Sequence, residues 1–530
     1  MVSPLRAISV IALLACGFAR AEPRTADQWY ALGRQQSASG QQRAAALAFQ
    51  RAANLNPSAA NWRSLADTLA ALKDYDAAAS AYDQAVDRYS RLGDIETARA
   101  LKAIADKVRP EFALYQFSNA AGAFPSQGPL AKLEPPRGCY AGVYVGDQGL
   151  TSGRFTLDQE LGIRHAVYFK YHLLRAASAY NLDHPLFPSA LAAAALANGA
   201  AIHLALEPDL PLRDVTEAVV RPFAQAVRDA RAPVFVRFAS EFNDPTNAWS
   251  GNPAAFVRAF RVVHDTLARY APLAAMVWTP MATNMKVVDA YYPGRAYVDW
   301  VGITQYSTVF VSGIVNDPGD AINPLDQLDE LYRKYAPVHP FQVSEFAATH
   351  ANSSTGSRDY SNFAAEKLNM LYYGAMLRYP RLKNINWLDL DMTNGHNDNG
   401  KPETRRNDYT LRGSAAVKAA YLKVISEPYF LKRFGAPFSS VTAAFSFPLS
   451  VPKGPALSAA AWVKGAAPVS RLSVLLDGRA YATLNALPYR FTLHTAVLAL
   501  GKHILRFTAT DIIGNRLVDR DVTFSVTKGR

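Results

Sequence analysis

The chain has 530 residues, of which 50% are hydrophobic and 19% are charged. This length and apolar content exclude a disordered chain and allow two or three domains with substantial cores. The formal net charge of +12 favours an acidic polysaccharide or an anionic membrane surface over nucleic acid as a partner, because no dense basic cluster is interleaved with aromatic residues. A generally basic surface with no such partner is the alternative.

The N-terminus has the form of an export signal. An apolar run over 7–15 is followed by small residues up to Ala21, which predicts a signal peptide over 1–21 that is too short to span a membrane. Leu13-Leu14-Ala15-Cys16 also resembles a bacterial lipobox, in which Cys16 would carry a lipid anchor. We therefore expect an exported protein that is periplasmic, secreted or an outer-membrane lipoprotein, with no transmembrane segment and no internal disulfide.

Residues 22–108 are alanine-rich and helical by pattern, and they repeat. Trp29 and Trp62, like Phe49 and Tyr82, stand 33 positions apart (62 − 29 and 82 − 49). This spacing of small and aromatic residues resembles the tetratricopeptide repeat, whose stacks present a concave face to protein partners. The region is predicted either to bind an envelope protein or to act as a structural brace.

A linker rich in Pro, Gly and Ser is predicted over 109–137, followed by a (β/α)8 barrel over 138–430. Eight β-rich runs alternate with helical ones, which fits a barrel better than a doubly wound sheet, and no dinucleotide or Walker motif supports the latter. The predicted strands are 139–146, 165–171, 201–207, 233–242, 274–280, 298–306, 341–346 and 385–391.

Residues 437–530 are predicted to form an antiparallel sandwich. Runs such as 472–476 and 503–509 alternate apolar and polar residues, and Asp477-Gly478 and Gly514-Asn515 have turn chemistry. This part resembles bacterial immunoglobulin-like domains that are appended to exported glycosidases. Such a domain would serve as a spacer more readily than as a carbohydrate-binding module, since it shows no clustered aromatic residues.

Glu241 and Glu345 end the fourth and seventh predicted strands. Functional residues of a (β/α)8 barrel collect at the carboxyl ends of its strands, so the two carboxylates are expected in one cleft. At roughly 5 Å separation, one would be the nucleophile and the other the acid/base of a retaining glycosidase. Alternation along 233–242 would direct Arg237, Ala239 and Glu241 to one face, and Tyr306 would donate its hydroxyl to Glu345.

Other strand-end residues are candidates for substrate binding. Trp249, Trp278 and Trp387 would provide aromatic platforms for sugar rings, with core packing as the alternative for Trp278. Glu207 and Asp389 end the third and eighth predicted strands and would bind hydroxyl groups or tune pKa values. The histidines are scattered, which predicts no metal site and no cofactor.

The motifs around these residues resemble glycoside hydrolase family 26 over about 138–426. They are Arg237-Phe238-Ala239-Ser240-Glu241-Phe242-Asn243 with Trp249, Met276-Val277-Trp278-Thr279-Pro280, Tyr291-Tyr292-Pro293-Gly294, Val298-Asp299-Trp300-Val301-Gly302 and Val343-Ser344-Glu345-Phe346. The family comprises retaining (β/α)8 enzymes, many of them β-mannanases. The resemblance implies Glu241 as acid/base and Glu345 as nucleophile, with Tyr306 beside it and Arg237 deeper in the barrel. Arg237 and Asn243 are also expected to bind the substrate.

The chain departs from the family at two points. Ser240 stands where the family usually has His, and Trp249 lies eight positions after Glu241 (249 − 241), further than usual. Both changes bear on mannan specificity more than on hydrolysis. The sequence thus predicts an exported retaining hydrolase of a β-linked polysaccharide, mannan-like or an exopolysaccharide. The alternative is a polysaccharide-binding or assembly protein whose barrel is weakly active or inactive.

Overall fold

The computed structural model describes residues 23–118, 129–146, 149–310, 319, 322–393, 406–435 and 441–528. The predicted signal peptide and Cys16 lie outside these residues. The chain divides into two compact units, of which the first runs to Pro110 and includes the short segments 464–468 and 513–517, and the second holds the rest. Within the described residues, no helix combines the length and the apolar character that crossing a bilayer requires.

The first unit is helical, as the sequence predicts. Its helices are Ala26–Ala38, Gln42–Leu55, Ala59–Ala71, Tyr75–Arg91 and Ile95–Val108. Thr25, Ser58, Asp74 and Asp94 cap four of them by accepting a backbone N–H of the first turn. Phe49 and Tyr82, the aromatic pair of the predicted repeat, share one core with small residues such as Ala45 and Ala78. The tetratricopeptide-like nature of the repeat stays a prediction.

The second unit contains a closed parallel barrel of eight strands, which confirms the predicted (β/α)8 class. The strands are β1 (Cys139–Tyr144), β2 (Val167–Leu174), β3 (Ala201–Pro208), β4 (Val234–Phe238), β5 (Ala274–Trp278), β6 (Trp300–Ser307), β7 (Phe341–Ala348) and β8 (Leu382–Trp387). Each pairs with the next in sequence. Ile385 of β8 lies opposite Ala141 of β1, and this pairing closes the barrel.

Helices cover the barrel on its outer side. They are Thr156–Leu161, Ser189–Ala197, Glu217–Ala230, Pro253–Tyr270, Pro324–Tyr335, Ser361–Arg378 and Ala415–Ile425, while the connection from β5 to β6 holds the 3-10 helices Met285–Tyr291 and Arg295–Tyr297. Asn252 and Asn323 cap helices that begin with proline, a combination that favours a helix start. The apolar residues of the strands and helices form one continuous core.

Two further sheets form the strand-rich C-terminal part. The strands of the first sheet lie in the order Ala443–Ser446, Glu111–Ser118, Ala456–Lys464 and Arg490–His494. Those of the second sheet lie in the order Ser450–Pro452, Arg516–Thr527, Gly501–Thr510, Arg471–Leu476 and Arg479–Leu484. Phe112 of the first sheet packs on Phe507 of the second, with ring centroids 4.8 Å apart.

Residues 111–118, predicted as part of the linker 109–137, form a strand instead. Tyr115 lies opposite Ser446 in an antiparallel pair, so segments from both sides of the barrel build one sheet. A strand whose partner lies so far along the chain has no local signal beyond its own composition, which explains why the linker prediction fails here.

Candidate active site

Strand β7 carries a bulge directly before Glu345. Val343 lies opposite Ile303 on β6 and Glu345 lies opposite Thr304, so Ser344 is an extra residue on β7. With regular alternation Glu345 would point outward with Val343. Because a bulge shifts the alternation by one residue, Ser344 and Glu345 both face the barrel interior.

Three donors converge on the Glu345 carboxylate, which is fully buried. The Tyr171 hydroxyl donates to Oε2 over 2.7 Å and the Tyr306 hydroxyl donates to the same oxygen over 2.5 Å. The Arg237 guanidinium forms a hydrogen-bonded ion pair with Oε1. The negative charge of a buried carboxylate is tolerated only when it is compensated in this way.

Arg237, on β4, is itself fully buried beneath this carboxylate. Its Nη1 donates to Thr304 Oγ1 over 3.3 Å, and its guanidinium carbon lies 5.0 Å from the centroid of the Phe169 ring. Its Nε has no hydrogen-bond partner among the residues that the structure describes. Burial opposes the charge, but Glu345, Tyr171 and Glu241 together outweigh burial and raise the pKa of Arg237. Arg237 therefore supplies a permanent positive charge below Glu345.

Tyr171 and Tyr306 keep their protons at any pH at which the protein would work. Burial, and then the negative charge of Glu345, hold the pKa of each phenol well above its ordinary value. Both tyrosines are therefore permanent hydrogen-bond donors to Glu345. Tyr306 was predicted in this position, whereas Tyr171 was not predicted.

Glu241 does not lie on a strand. Strand β4 ends at Phe238, and both Ala239 and Glu241 have positive φ angles, of 45° and 57°. The predicted strand over 233–242 is therefore too long, and alternation does not orient Ala239 or Glu241. Left-handed backbone at non-glycine residues costs roughly 1–3 kcal/mol and is concentrated at functional sites.

The tight turn nevertheless brings Glu241 to the same cluster. Its backbone N–H donates to the Thr279 carbonyl over 2.8 Å, and its side chain is half-buried. Its negative charge contributes to the raised pKa values of Tyr171, Tyr306 and Arg237. Glu241 and Glu345 thus act on the same three side chains.

The loop after Glu241 folds back on the turn. Trp249 Nε1 donates to the Ser240 carbonyl over 2.7 Å, and Asn247 Nδ2 donates to the Glu241 carbonyl over 2.9 Å. Trp249 is half-buried, so part of its ring is accessible. The extra residues of this loop hold the backbone around Glu241.

Asn243 has a structural role instead of the predicted substrate contact. Its Nδ2 donates to the carbonyls of Met281 and Thr283, over 2.8 and 2.5 Å, and its Oδ1 accepts from the Met281 N–H. The side chain is 1% exposed, and these bonds occupy its amide group. Asn243 therefore fixes the loop after β5.

Trp278 and Trp387 are core residues and not sugar platforms. Both are fully buried, and their indole N–H groups donate to the carbonyls of Tyr291 and Tyr409, respectively. Trp387 packs on Tyr421 of a covering helix, because alternate residues of β8 face outward. The predicted stacking role is wrong for both.

Of the two acidic residues predicted to end the third and eighth strands, Glu207 lies on its strand and Asp389 lies beyond the end of its strand. β8 ends at Trp387, before Asp389, whose Oδ1 accepts the Leu411 N–H over 2.6 Å; burial raises the pKa of Asp389. Asp389 therefore stabilises the segment after β8 and does not have the predicted role in substrate binding. Glu207 lies near the end of β3 and is half-buried. Because alternate residues of a strand share a face, Glu207 faces the barrel interior, as His203 does.

Several aromatic residues beside Glu345 were not predicted. Tyr144, Phe169, Tyr171 and Tyr409 join Tyr306 in one cluster, and the Tyr306 and Tyr409 rings stack with centroids 5.8 Å apart. Phe169 and Tyr171 stand two positions apart on one predicted strand, so alternation alone places both on one face of that strand. Among the described residues, no group of three or more His, Cys, Asp or Glu side chains could hold a metal ion.

The family resemblance is confirmed over part of the barrel. Residues 213–317 match the model of glycosyl hydrolase family 26, a segment that includes Arg237, Glu241 and Tyr306. Over these residues the barrel is similar to a glycoside hydrolase. No curated protein matches the sequence.

Solved structures of similar fold include glycosidases. An endo-β-1,4-mannanase double mutant from Cellulomonas fimi is 15% identical, with a TM-score of 0.41, over 74% of this chain and 96% of that one. A family 26 β-mannanase from Bacteroides ovatus is 14% identical, with a TM-score of 0.39, over 57% and 93%. A β-glucuronidase from Bacteroides uniformis is 14% identical, with a TM-score of 0.36, over 70% and 42%.

Proposed function

We propose that the barrel, which matches glycosyl hydrolase family 26 over residues 213–317, hydrolyses a β-linked polysaccharide with retention of anomeric configuration. The observation that carries this proposal is the donor set around Glu345, because Arg237, Tyr171 and Tyr306 all bond its carboxylate. Glu241 acts electrostatically on the same three side chains. Two carboxylates with different surroundings suit the two roles of a retaining mechanism.

In this mechanism Glu345 is the nucleophile and Glu241 the acid/base. Glu345 Oε2, whose two donors are neutral phenols, attacks the anomeric carbon as the glycosidic C–O bond breaks, while Glu241 gives its proton to the departing oxygen. Glu241 then takes a proton from water as that water attacks the anomeric carbon, which releases Glu345 as a carboxylate. Arg237 holds Oε1 throughout.

The substrate class follows from charge and surface chemistry. A mannan-like polymer or an exopolysaccharide with β-linkages is proposed, with Trp249 and Glu207 as further binding residues. The formal net charge of +12 favours an acidic polymer. The polysaccharide machinery of a cell envelope would supply such a polymer, in line with the predicted export and with an envelope protein as the proposed partner of the helical repeats.

A second candidate is a polysaccharide-binding or assembly protein with a weakly active barrel. The complete burial of the Glu345 side chain favours it, since an attacking oxygen must reach the substrate. Ser240 in place of the family's His favours it as well.

Product analysis with a panel of mannans, β-glucans, xylans and acidic exopolysaccharides separates the two candidates. We expect the full-length protein to release reducing ends from at least one polymer, and both Glu345→Ala and Glu241→Ala to lose that activity. Glu217→Gln, on a surface helix where Glu217 pairs with Arg269, is the matched carboxylate control and should retain it. Binding of a polymer without any released reducing ends would establish the second candidate instead.

A further inference from the structure

Thr279, directly after β5, contacts the elements that carry both glutamates. Its carbonyl accepts the Glu241 N–H over 2.8 Å, and its Oγ1 lies 3.0 Å from Ser344 Oγ. Ser344 is the bulged residue that turns Glu345 inward. Because Thr279 is fully buried, these bonds are shielded from water. One residue is thus bonded to the backbone of the proposed acid/base and to the residue before the proposed nucleophile.

The surroundings of Ser344 are built for this contact. Gly302 on β6 leaves the required space, since a Cβ there would overlap the hydroxyls of both Ser344 and Thr279. Ser344 Oγ also lies 2.9 Å from Gln342 Nε2, and the Ser344 carbonyl accepts Asn386 Nδ2 over 3.1 Å. The bulge is therefore held by polar partners from β7, from β8 and from Thr279 after β5.

We propose that Thr279 is a positioning residue that fixes the separation of the Glu241 and Glu345 carboxyl groups. The proposal rests on the proposed function, because retaining hydrolysis requires a separation of roughly 5–5.5 Å. A displacement of about 1 Å can lower a rate about 100-fold. Thr279 contacts neither substrate nor reacting atoms; it acts through the turn at Glu241 and the bulge at Ser344.

Kinetics of Thr279 variants in the full-length protein test this role. Thr279→Val keeps the shape and the carbonyl but removes the hydroxyl, and we expect kcat to fall about 10- to 100-fold with KM within about threefold. Thr279→Ser restores the hydroxyl and should recover most of the loss. The matched control is Thr266→Val, which removes another buried hydroxyl, bonded at 2.7 Å to the Val262 carbonyl within helix Pro253–Tyr270; its kcat should match wild type.

Crystal structures of wild type, Thr279→Val and Thr279→Ser measure the carboxyl separation directly. We expect a changed separation in Thr279→Val only. The proposal is overturned if Thr279→Val keeps the wild-type separation, whatever its kcat, or if Thr266→Val loses kcat equally. A wild-type protein that hydrolyses no polymer would count against the proposed function alone, because the structures would still decide the role of Thr279.

Discussion

Tyr306 donates its hydroxyl to Glu345 Oε2 over 2.5 Å, from the strand next to the one that carries Glu345. The same oxygen accepts the Tyr171 hydroxyl from β2, three strands away around the closed barrel. Two phenol donors on one carboxylate oxygen fix the orientation of that oxygen. The two tyrosines therefore orient the proposed nucleophile.

Tyr306→Phe should lower kcat while changing KM little. A hydrogen bond to a charged group contributes about 1.5–3 kcal/mol, which corresponds to about 10- to 100-fold in rate if the bond matters most in the transition state. Steady-state kinetics on a hydrolysed polymer measure this. Tyr409→Phe, at the ring that stacks on Tyr306, is the control for the loss of a nearby hydroxyl. A Tyr306→Phe enzyme with wild-type kcat would remove Tyr306 from the mechanism.

Arg237→Leu should destabilise the barrel strongly. It leaves the buried Glu345 without its ion-pair partner, and breaking a buried pair in this way costs about 3–5 kcal/mol. Denaturant unfolding of the full-length wild type and variants gives the free energy of unfolding of each. The double variant Arg237→Leu with Glu345→Leu should recover much of that loss. Equal destabilisation of the single and double variants would show that packing, and not charge, is responsible.

The buried Lys383 should make the free energy of unfolding depend on pH. Burial lowers the pKa of Lys383 from 10.5 to about 8. Between these values the unfolded chain binds the proton and the folded protein does not, so this residue makes stability rise as pH increases from about 8 to 10.5, by about 3 kcal/mol at most.

Lys383→Met should remove that rise and should be more stable than wild type at pH 7. Chemical unfolding at pH 7, 8, 9 and 10 measures the difference between the two proteins, so that titrations common to both cancel. Lys418→Met, at a lysine that donates to an exposed partner, is the control. A constant difference across the pH range would contradict the assigned burial effect.

Trp249→Phe should loosen the turn at Glu241. It removes the indole bond to the Ser240 carbonyl but keeps an aromatic face for a sugar. A neutral hydrogen bond contributes about 0.5–1.5 kcal/mol, so kcat should fall about twofold to tenfold while KM holds. A rise of KM at constant kcat would instead indicate that Trp249 serves mainly as a binding platform.

The fold could be predicted from the sequence to a large extent, because eight runs of β-rich residues alternate with amphipathic helices and each is a local signal. The site could be predicted only in part. Motif position identified Glu241, Glu345 and Tyr306, but alternation alone would have turned Glu345 outward. The bulge at Ser344 depends on Gly302 and Asn386, which lie on other strands and leave no trace in the local pattern.

The aromatic residues show the same limit. Trp278 and Trp387 were reasonable sugar platforms by residue type, yet both face the helices. Tyr171 has no motif of its own and reaches Glu345 because the closing pair of β1 and β8 brings β2 to within three strands of β7. Contacts of this kind depend on closure and register, which a single sequence does not specify.

Mass spectrometry of a trapped glycosyl-enzyme tests the central claim most directly. An activated 2-deoxy-2-fluoro glycoside of the sugar released from the hydrolysed polymer should label the full-length protein once, and the labelled peptide should carry the ester on Glu345. An ester on any other residue, or hydrolysis with inverted configuration and no ester, would contradict the assignment of Glu345 as the nucleophile of a retaining glycoside hydrolase.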